Sequence, residues 1–463
     1  MSGITDEVLS IALELGAEYA DVRVERRELV SLRMSNRVLE SVSVGERFGL
    51  GVRVLVNGAF GFFTANKADK DALKLGIERA VKMARSSAAV RREKVALAPV
   101  KTVTDDVKGD FKVNPVAVDL EEYMELLIAG HDAAKESSKV LSNVTTMAEG
   151  VLLEKIIATS EGTKIRIVEP RVSYRVYTVA SSEGRMAAIM DAKGLIKGFE
   201  AFKAFKIEEL ASDAAQRAEK MLDARPTPGG RFTVIIDGAL TGVFIHEALG
   251  HAAEGDHVLA GESVLEGKLG EVVGSEHVTV YDDSTLEEGW GSAKYDDEGV
   301  PTRKRLLIDR GVLKGYILNR ESAHKLGLEP NGGARAESYA HPPIVRMSNT
   351  YIQPGDWSFE EMLEDIKKGV YLKGSRGGQV DPAKGTFQFN AQEAFLIESG
   401  EITRPLRDVS LMGHVLETLK NIDAVGKDFT LRIGTCGKAN QGVPAGVGGP
   451  HVRIVNALVG GAV

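Results

Sequence analysis

Apolar and polar positions alternate with period two along most of the amino-terminal half, broken by a few stretches with helical spacing. Residues 5–16, with Thr5 as N-cap and Val8, Leu9, Ile11, Ala12 and Leu15 apolar, predict a short amphipathic helix stopped by Gly16. From Tyr19 the run Tyr-Ala-Asp-Val-Arg-Val-Glu alternates as a strand does, and 29–34, 39–44 and 49–55 continue the pattern. Asn57-Gly58 then marks a hairpin turn before the apolar 59–63. Helical spacing returns over 70–85, followed by a charged connector over 85–101. A third helix is predicted at 120–134, then strands at 140–147, 151–158 and 163–180, with Ser160-Glu-Gly-Thr as a turn, and a helix at 207–222. Helices followed by meanders imply an α+β architecture with antiparallel sheet.

The Pro- and Gly-dense run 224–231 is the clearest boundary. It divides an amino-terminal α+β region, 1–223, itself split near 86–117, from a β-rich catalytic domain, 224–463. The second part opens with a strand at 232–236 and an apolar helix at 239–253. Short β segments follow at 271–280, 306–318, 388–399 and 452–459, interrupted by a helix at 359–367.

Composition narrows the function. The 463 residues are 43% hydrophobic and 27% charged, an ordinary globular balance, and the net charge of −8 speaks against a dedicated nucleic-acid binder. A single cysteine excludes an internal disulfide framework and any tetra-cysteine metal site. The acidic start carries no signal peptide and no long apolar run predicts a membrane span, so a cytoplasmic protein is expected. No GxGxxG or GxxxxGK[ST] signature follows a strand, and the glycines of 442–449 read as support for a tightly folded loop around Cys436.

Chemistry concentrates in the helix after the boundary, which reads His246-Glu247-Ala-Leu-Gly-His251. Imidazoles suit Zn²⁺, and a glutamate beside the first can act as general base towards a water on the ion. The spacing is one residue longer than His-Glu-x-x-His. On an ideal helix residues i and i+4 differ by about 40° around the axis, but i and i+5 by about 140°. For both histidines to reach one ion, the helix must carry a π-type bulge or end near Gly250. A catalytic zinc needs a third protein ligand, for which Cys436, His257, Glu254, Asp256 and His277 are candidates. The turn Glu254-Gly-Asp256 is placed to orient His251 from behind. Arg335 and His341 are candidates for the substrate path. His257, His277, His324, His414 and His451 read otherwise as surface or structural.

The segment GVFIHEALGHAAEGD (242–256) resembles the active-site segment of the TldD/PmbA family, also labelled modulators of DNA gyrase. The likeness continues through 290–317, 335–356 and 377–422, closes with CGKANQGVPAGVGGP (436–450), and extends to the amino-terminal GAEYADVRVER and LESVSVGERFGLGVRVLVNGAFGFFTAN. The family has a TldD kind that keeps His-Glu-x-x-x-His and the late cysteine, and a PmbA (TldE) kind that lacks them, so this chain is similar to the catalytic kind. The resemblance implies a zinc metallopeptidase with His246, His251 and Cys436 as ligands and Glu247 as base. It also implies unstructured peptides as substrates and a dimer chamber completed by a PmbA/TldE-like subunit or by a second copy. The competing expectation from the residues is a non-hydrolytic peptide- or protein-binding adaptor with a structural zinc, and a zinc amidase for small molecules is a third.

Overall fold

The computed structural model describes residues 2–461 and has an α+β architecture built on two regions that share a polar seam. The amino-terminal region is one seven-stranded sheet. Its strands are β1 (Tyr19–Ser35), β2 (Val38–Val56), β3 (Ala59–Ala65), β4 (Thr104–Lys108), β5 (Leu141–Thr159), β6 (Lys164–Ser182) and β7 (Arg185–Leu195), ordered β3-β2-β1-β5-β6-β4, with β7 also on β6. Asn57 and Gly58, at φ of 52° and 78°, make the left-handed two-residue turn between β2 and β3. The segments 140–147 and 151–158, expected as two strands, form the single strand β5. Its Gly150 stays in register opposite both β1 and β6, where an added Cβ would meet the Tyr123 hydroxyl at 2.0 Å. Glycine here is a packing requirement and not a turn.

Period two explains how the sheet is covered. On β1, Val22, Val24, Val30 and Leu32 share one face, packed under the helices α1 (Ser2–Glu14), α2 (Lys70–Val90), α3 (Leu120–Ser137) and α4 (Ile207–Lys220). The alternate positions Asp21, Arg23 and Glu25 point to the other face, yet each is at most 5% exposed. The carboxy-terminal region covers them. Arg53 pairs with Asp21 at 2.7 Å and Glu298 at 2.9 Å, Lys155 with Asp297 at 2.6 Å, and Arg320 with Glu161 at 2.7 Å. Buried charges this numerous persist because each is paired.

In the carboxy-terminal region five strands, Gly230–Ile236, Lys368–Asp381, Thr386–Glu398, Val409–His414 and Val452–Gly461, pair in a closed ring. A separate six-stranded sheet ends in the hairpin Thr430–Lys438 and Gln441–Gly449. The expected strand at 271–280 is irregular until Val280–Asp283. The helix expected at 239–253 lies between ring and sheet, in one apolar core with both. It is α-helical over α5 (Gly238–Phe244) and a π-helix over Ile245–Gly250. Among the described residues no helix is long and apolar enough to cross a membrane.

Glycine decides how closely helix and hairpin approach. A Cβ at Gly242 would lie 2.2 Å from the Gly448 amide nitrogen, and one at Gly238 2.3 Å from the Gly449 carbonyl oxygen. Gly242→Leu is therefore expected to destabilise the protein by about 1–3 kcal/mol and lower its melting temperature. Gly437→Ala, where a Cβ meets nothing within 4 Å, is expected to leave the melting temperature nearly unchanged. Thermal denaturation of the two variants checks the pair.

Candidate metal centre

Asp237 starts the site helix. Its carboxylate accepts from the Leu240 amide at 2.8 Å as N-cap and from Gly374 of the ring at 2.9 Å, which anchors the helix to the barrel wall. Beyond Phe244 the winding widens, and the His251 amide donates to the His246 carbonyl at 3.2 Å, an i→i+5 bond. Gly250 lies within the wide turn because Met347 packs there, its sulfur 2.0 Å from where a Cβ would sit. The extra residue per turn brings the two imidazoles onto one side, with ring centroids 5.5 Å apart.

Cys436 approaches from the hairpin. It lies in a strand, opposite Val443, and not in the glycine-flanked loop expected from the sequence. The glycines of 442–449 belong to the paired strand, and at its end Gly448 and Gly449 lie against the helix, while Gly446 makes room for Asn349. One ligand atom each from His246, His251 and Cys436 lie within 4.8 Å of one another, all three residues buried, and Cys436 Sγ is 3.8 Å from His251 Nε2. The Glu247 carboxylate is 38% exposed, lies 3.8 Å from His251 Nε2 and lines an open cleft with His246.

Charge organises the surroundings. His251 Nδ1 is 2.9 Å from Glu254 Oε2, so a wholly buried carboxylate holds the ring from behind. Lys438 donates to Glu254 at 3.0 Å and to both Asp256 oxygens at 2.7 and 2.8 Å. The second cluster of donors, Glu254, Asp256 and His257, is thus bridged by an ammonium. Burial alone would push the Glu254 carboxyl up, but His251 and Lys438 outweigh it and hold it below the ordinary value. Burial also opposes charge on His251, yet Glu254 and Cys436 raise its pKa well above the usual one. Cys436 shows the inverse: burial favours the thiol, and the two histidines bring the pKa down to about 5.

Two imidazoles and a low-pKa thiolate are donors for a borderline metal such as zinc. His246 Nδ1 is buried without a hydrogen-bond partner among the described residues, which fits a donor set completed from outside the chain. Arg335 and His341 do not line the Glu247 cleft, although Arg335 is near enough to Cys436 for the two charges to interact. Arg335 donates to the Met347 carbonyl at 2.6 Å and lines a different hollow with Asp297 and Glu337, where burial and Arg171 pull its pKa to about 10. His341 sits in a loop held by Arg23 of β1, its Nδ1 3.2 Å from the Ser338 hydroxyl. His277 is exposed, and His451 binds Tyr371 and Asp428. The sequence reading missed Lys438. Its signal was the i, i+2 spacing from Cys436, which shares a face only if the segment is a strand.

A closed barrel, a π-wound His-Glu helix and a strand that carries Cys436 thus bring three metal-donor side chains together. Three domain models match the chain: PmbA/TldA metallopeptidase domain 1 over 20–84, the central domain over 114–222 and the C-terminal domain over 229–461. The chain belongs to the PmbA/TldA metallopeptidase family. It is 45% identical to a metalloprotease of Methanothermobacter thermautotrophicus over 99% of both chains, and 30% identical to a zinc metalloprotease TldD homolog of Saccharolobus solfataricus over 98% of both. The fold matches crystalline TldE from Thermococcus kodakarensis with a TM-score of 0.81 at 21% identity, over 99% of this chain and 100% of that one.

An ion held by His251 and Cys436 would need the imidazole neutral, so the His251 proton would leave on binding, whereas the Cys436 pKa of about 5 favours the thiolate near neutrality. Metal uptake near neutral pH is expected to release about one proton, and affinity to rise with pH until His251 titrates. Calorimetry in buffers of different ionisation enthalpy measures that proton directly.

Proposed function

We propose that the protein is a zinc-dependent metallopeptidase for unfolded or extended peptides, with His246, His251 and Cys436 as ligands and Glu247 as general base. The observation that carries the reading is the convergence of those three donors within 4.8 Å beside a carboxylate that opens onto a cleft. Zinc held there supplies Lewis acidity, polarising a carbonyl and acidifying water. Glu247 takes a proton from the attacking water and returns it to the leaving amine. Glu254 keeps His251 in one tautomer and orientation, and Lys438 keeps Glu254 ionised while offsetting its charge. An open carboxylate beside three donors favours this over a structural zinc, for which a closed four-ligand set is the usual arrangement.

The strand Thr430–Lys438, which carries Cys436, is the edge of its sheet. An extended peptide added along that edge would gain backbone hydrogen bonds with little demand on sequence. The family resemblance and the full-length fold match to TldE support a PmbA/TldE-like subunit, or a second copy, as dimer partner.

Elemental analysis and peptide cleavage test the assignment together. About one zinc per chain is expected in the wild type and in Glu247→Gln, with cleavage in the latter reduced at least about 10²-fold. Cys436→Ser should lose the metal, and Glu254→Gln should bind it about 10–100-fold more weakly. Zinc unchanged in Cys436→Ser would remove Cys436 from the ligand set, and full activity in Glu247→Gln would remove the base.

A further inference from the structure

The cleft at Glu247 does not end at the metal ligands. Its wall includes Met190 and Ala192 of β7 together with Gly374, Ser375 and Gly377 of the ring. A second hollow adjoins it along the same strand face: Ala188 and Met186 follow Met190 at two-residue steps, and Arg376 lies between Ser375 and Gly377. From Ala192 to Met186 the path is about 20 Å, the span of some six extended residues.

Its surface is unusual. Met186 is 72% exposed, Met190 52% and Tyr177 42%, with Tyr177 directly opposite Met190 across the β6–β7 pair. Methionine is soft and unbranched, suited to packing against varied apolar side chains. Charge adds a second feature. Arg185 is offset by Glu183 and Asp223, and Arg407 by Asp408, but Arg376 forms no ion pair among the described residues. Its guanidinium donates to the Gln392 carbonyl at 3.1 Å, and the residue is otherwise exposed at the second hollow. Gln392 in turn binds both the amide and the carbonyl of Met190, at 3.2 and 3.0 Å, which ties β7 to the ring.

We infer that β7 and Arg376 form an extended substrate-binding track, taking the arm of an unfolded peptide beyond the scissile bond and favouring apolar residues interspersed with carboxylates. The inference rests on the peptidase reading for its occupant. The single face of β7 that lines both hollows, through Met190 and Ala192 in one and Met186 and Ala188 in the other, points to one extended peptide as the occupant, and the unpaired Arg376 selects the acidic character of its arm. Fold and substrate would then combine sequence-tolerant pairing near the metal with a compositional preference farther out, matching segments that expose apolar and acidic residues when unfolded.

The test uses fluorescein-labelled peptides that share a short uncharged core and differ in a six-residue arm, added at either end. One arm holds leucines and glutamates, another leucines and lysines, a third serines and glycines. Binding is read by polarisation on the full chain as purified, and cleavage separately by mass spectrometry with zinc supplied. The leucine–glutamate arm is expected to tighten Kd about tenfold over the bare core. Met186→Asp should abolish most of that gain, and Arg376→Glu should transfer it to the leucine–lysine arm. Both positions are exposed, and melting curves would check that the variants fold. Equal affinity for all arms, or a gain that survives both substitutions, overturns the track. So does self-association of the chain that Met186→Asp abolishes while arm binding is unchanged. Arm-dependent binding with no cleavage of any core, by the chain alone or with a PmbA/TldE-like subunit added, would sink the peptidase reading and leave the track standing, and cleavage without arm dependence would do the reverse.

Discussion

The bond from the His251 amide to the His246 carbonyl is the constraint on which the site depends. Four residues separate the two histidines, and in α-helical winding their rings would face nearly opposite sides. Closing the turn at i+5 costs hydrogen-bond quality over six residues, and the surrounding core over-determines it: Ile245, Ala248 and Leu249 are fully buried, and Met347 fills the space beside Gly250. The widened turn is thus held by packing on several sides at once. Without it, Cys436 would meet one imidazole and not two.

Close approach of helix and hairpin is the second requirement. Backbone lies against backbone at Gly238, Gly242, Gly448 and Gly449, so the thiolate reaches the histidines from a strand and not from a flexible loop. A strand delivers a side chain along a fixed direction, and it delivers the next one on that face as well. Lys438 follows Cys436 by two residues and reaches Glu254 and Asp256. One strand therefore brings both an anionic donor and the cation that stabilises the carboxylate behind His251.

The two regions of the molecule meet through charge. The polar face of the amino-terminal sheet is buried under the carboxy-terminal region by paired arginines, lysines and carboxylates, and Asp191 of β7 continues the network to Arg217 and Arg432. Such a seam has directional geometry and gains little from sliding, so it fixes the register of one region against the other. The cleft beside Glu247 is bounded by both, and its width follows from that seam.

Much of this was legible in the chain alone. Alternation along 19–55 and helical spacing in 70–85, 120–134 and 207–222 follow from local geometry, since side-chain direction repeats every two residues in a strand and every 3.6 in a helix. The histidine spacing likewise demanded a distorted helix before any coordinates, because the angle per residue is set by the backbone. Other features were beyond local pattern. Glycine-rich 442–449 reads as loop by propensity, and only the helix pressed against it explains why it is a strand. The polar positions of β1 look the same whether solvent or another region covers them. Lys438, Arg376 and the separation of Arg335 and His341 from the cleft depend on contacts between residues far apart in sequence. The sequence by itself determined which side chains could bind a metal and how the helix beneath them must wind, because those are properties of residue type and backbone geometry. Tertiary structure alone decided which thiolate, lysine and carboxylates surround them, because that depends on how distant segments pack.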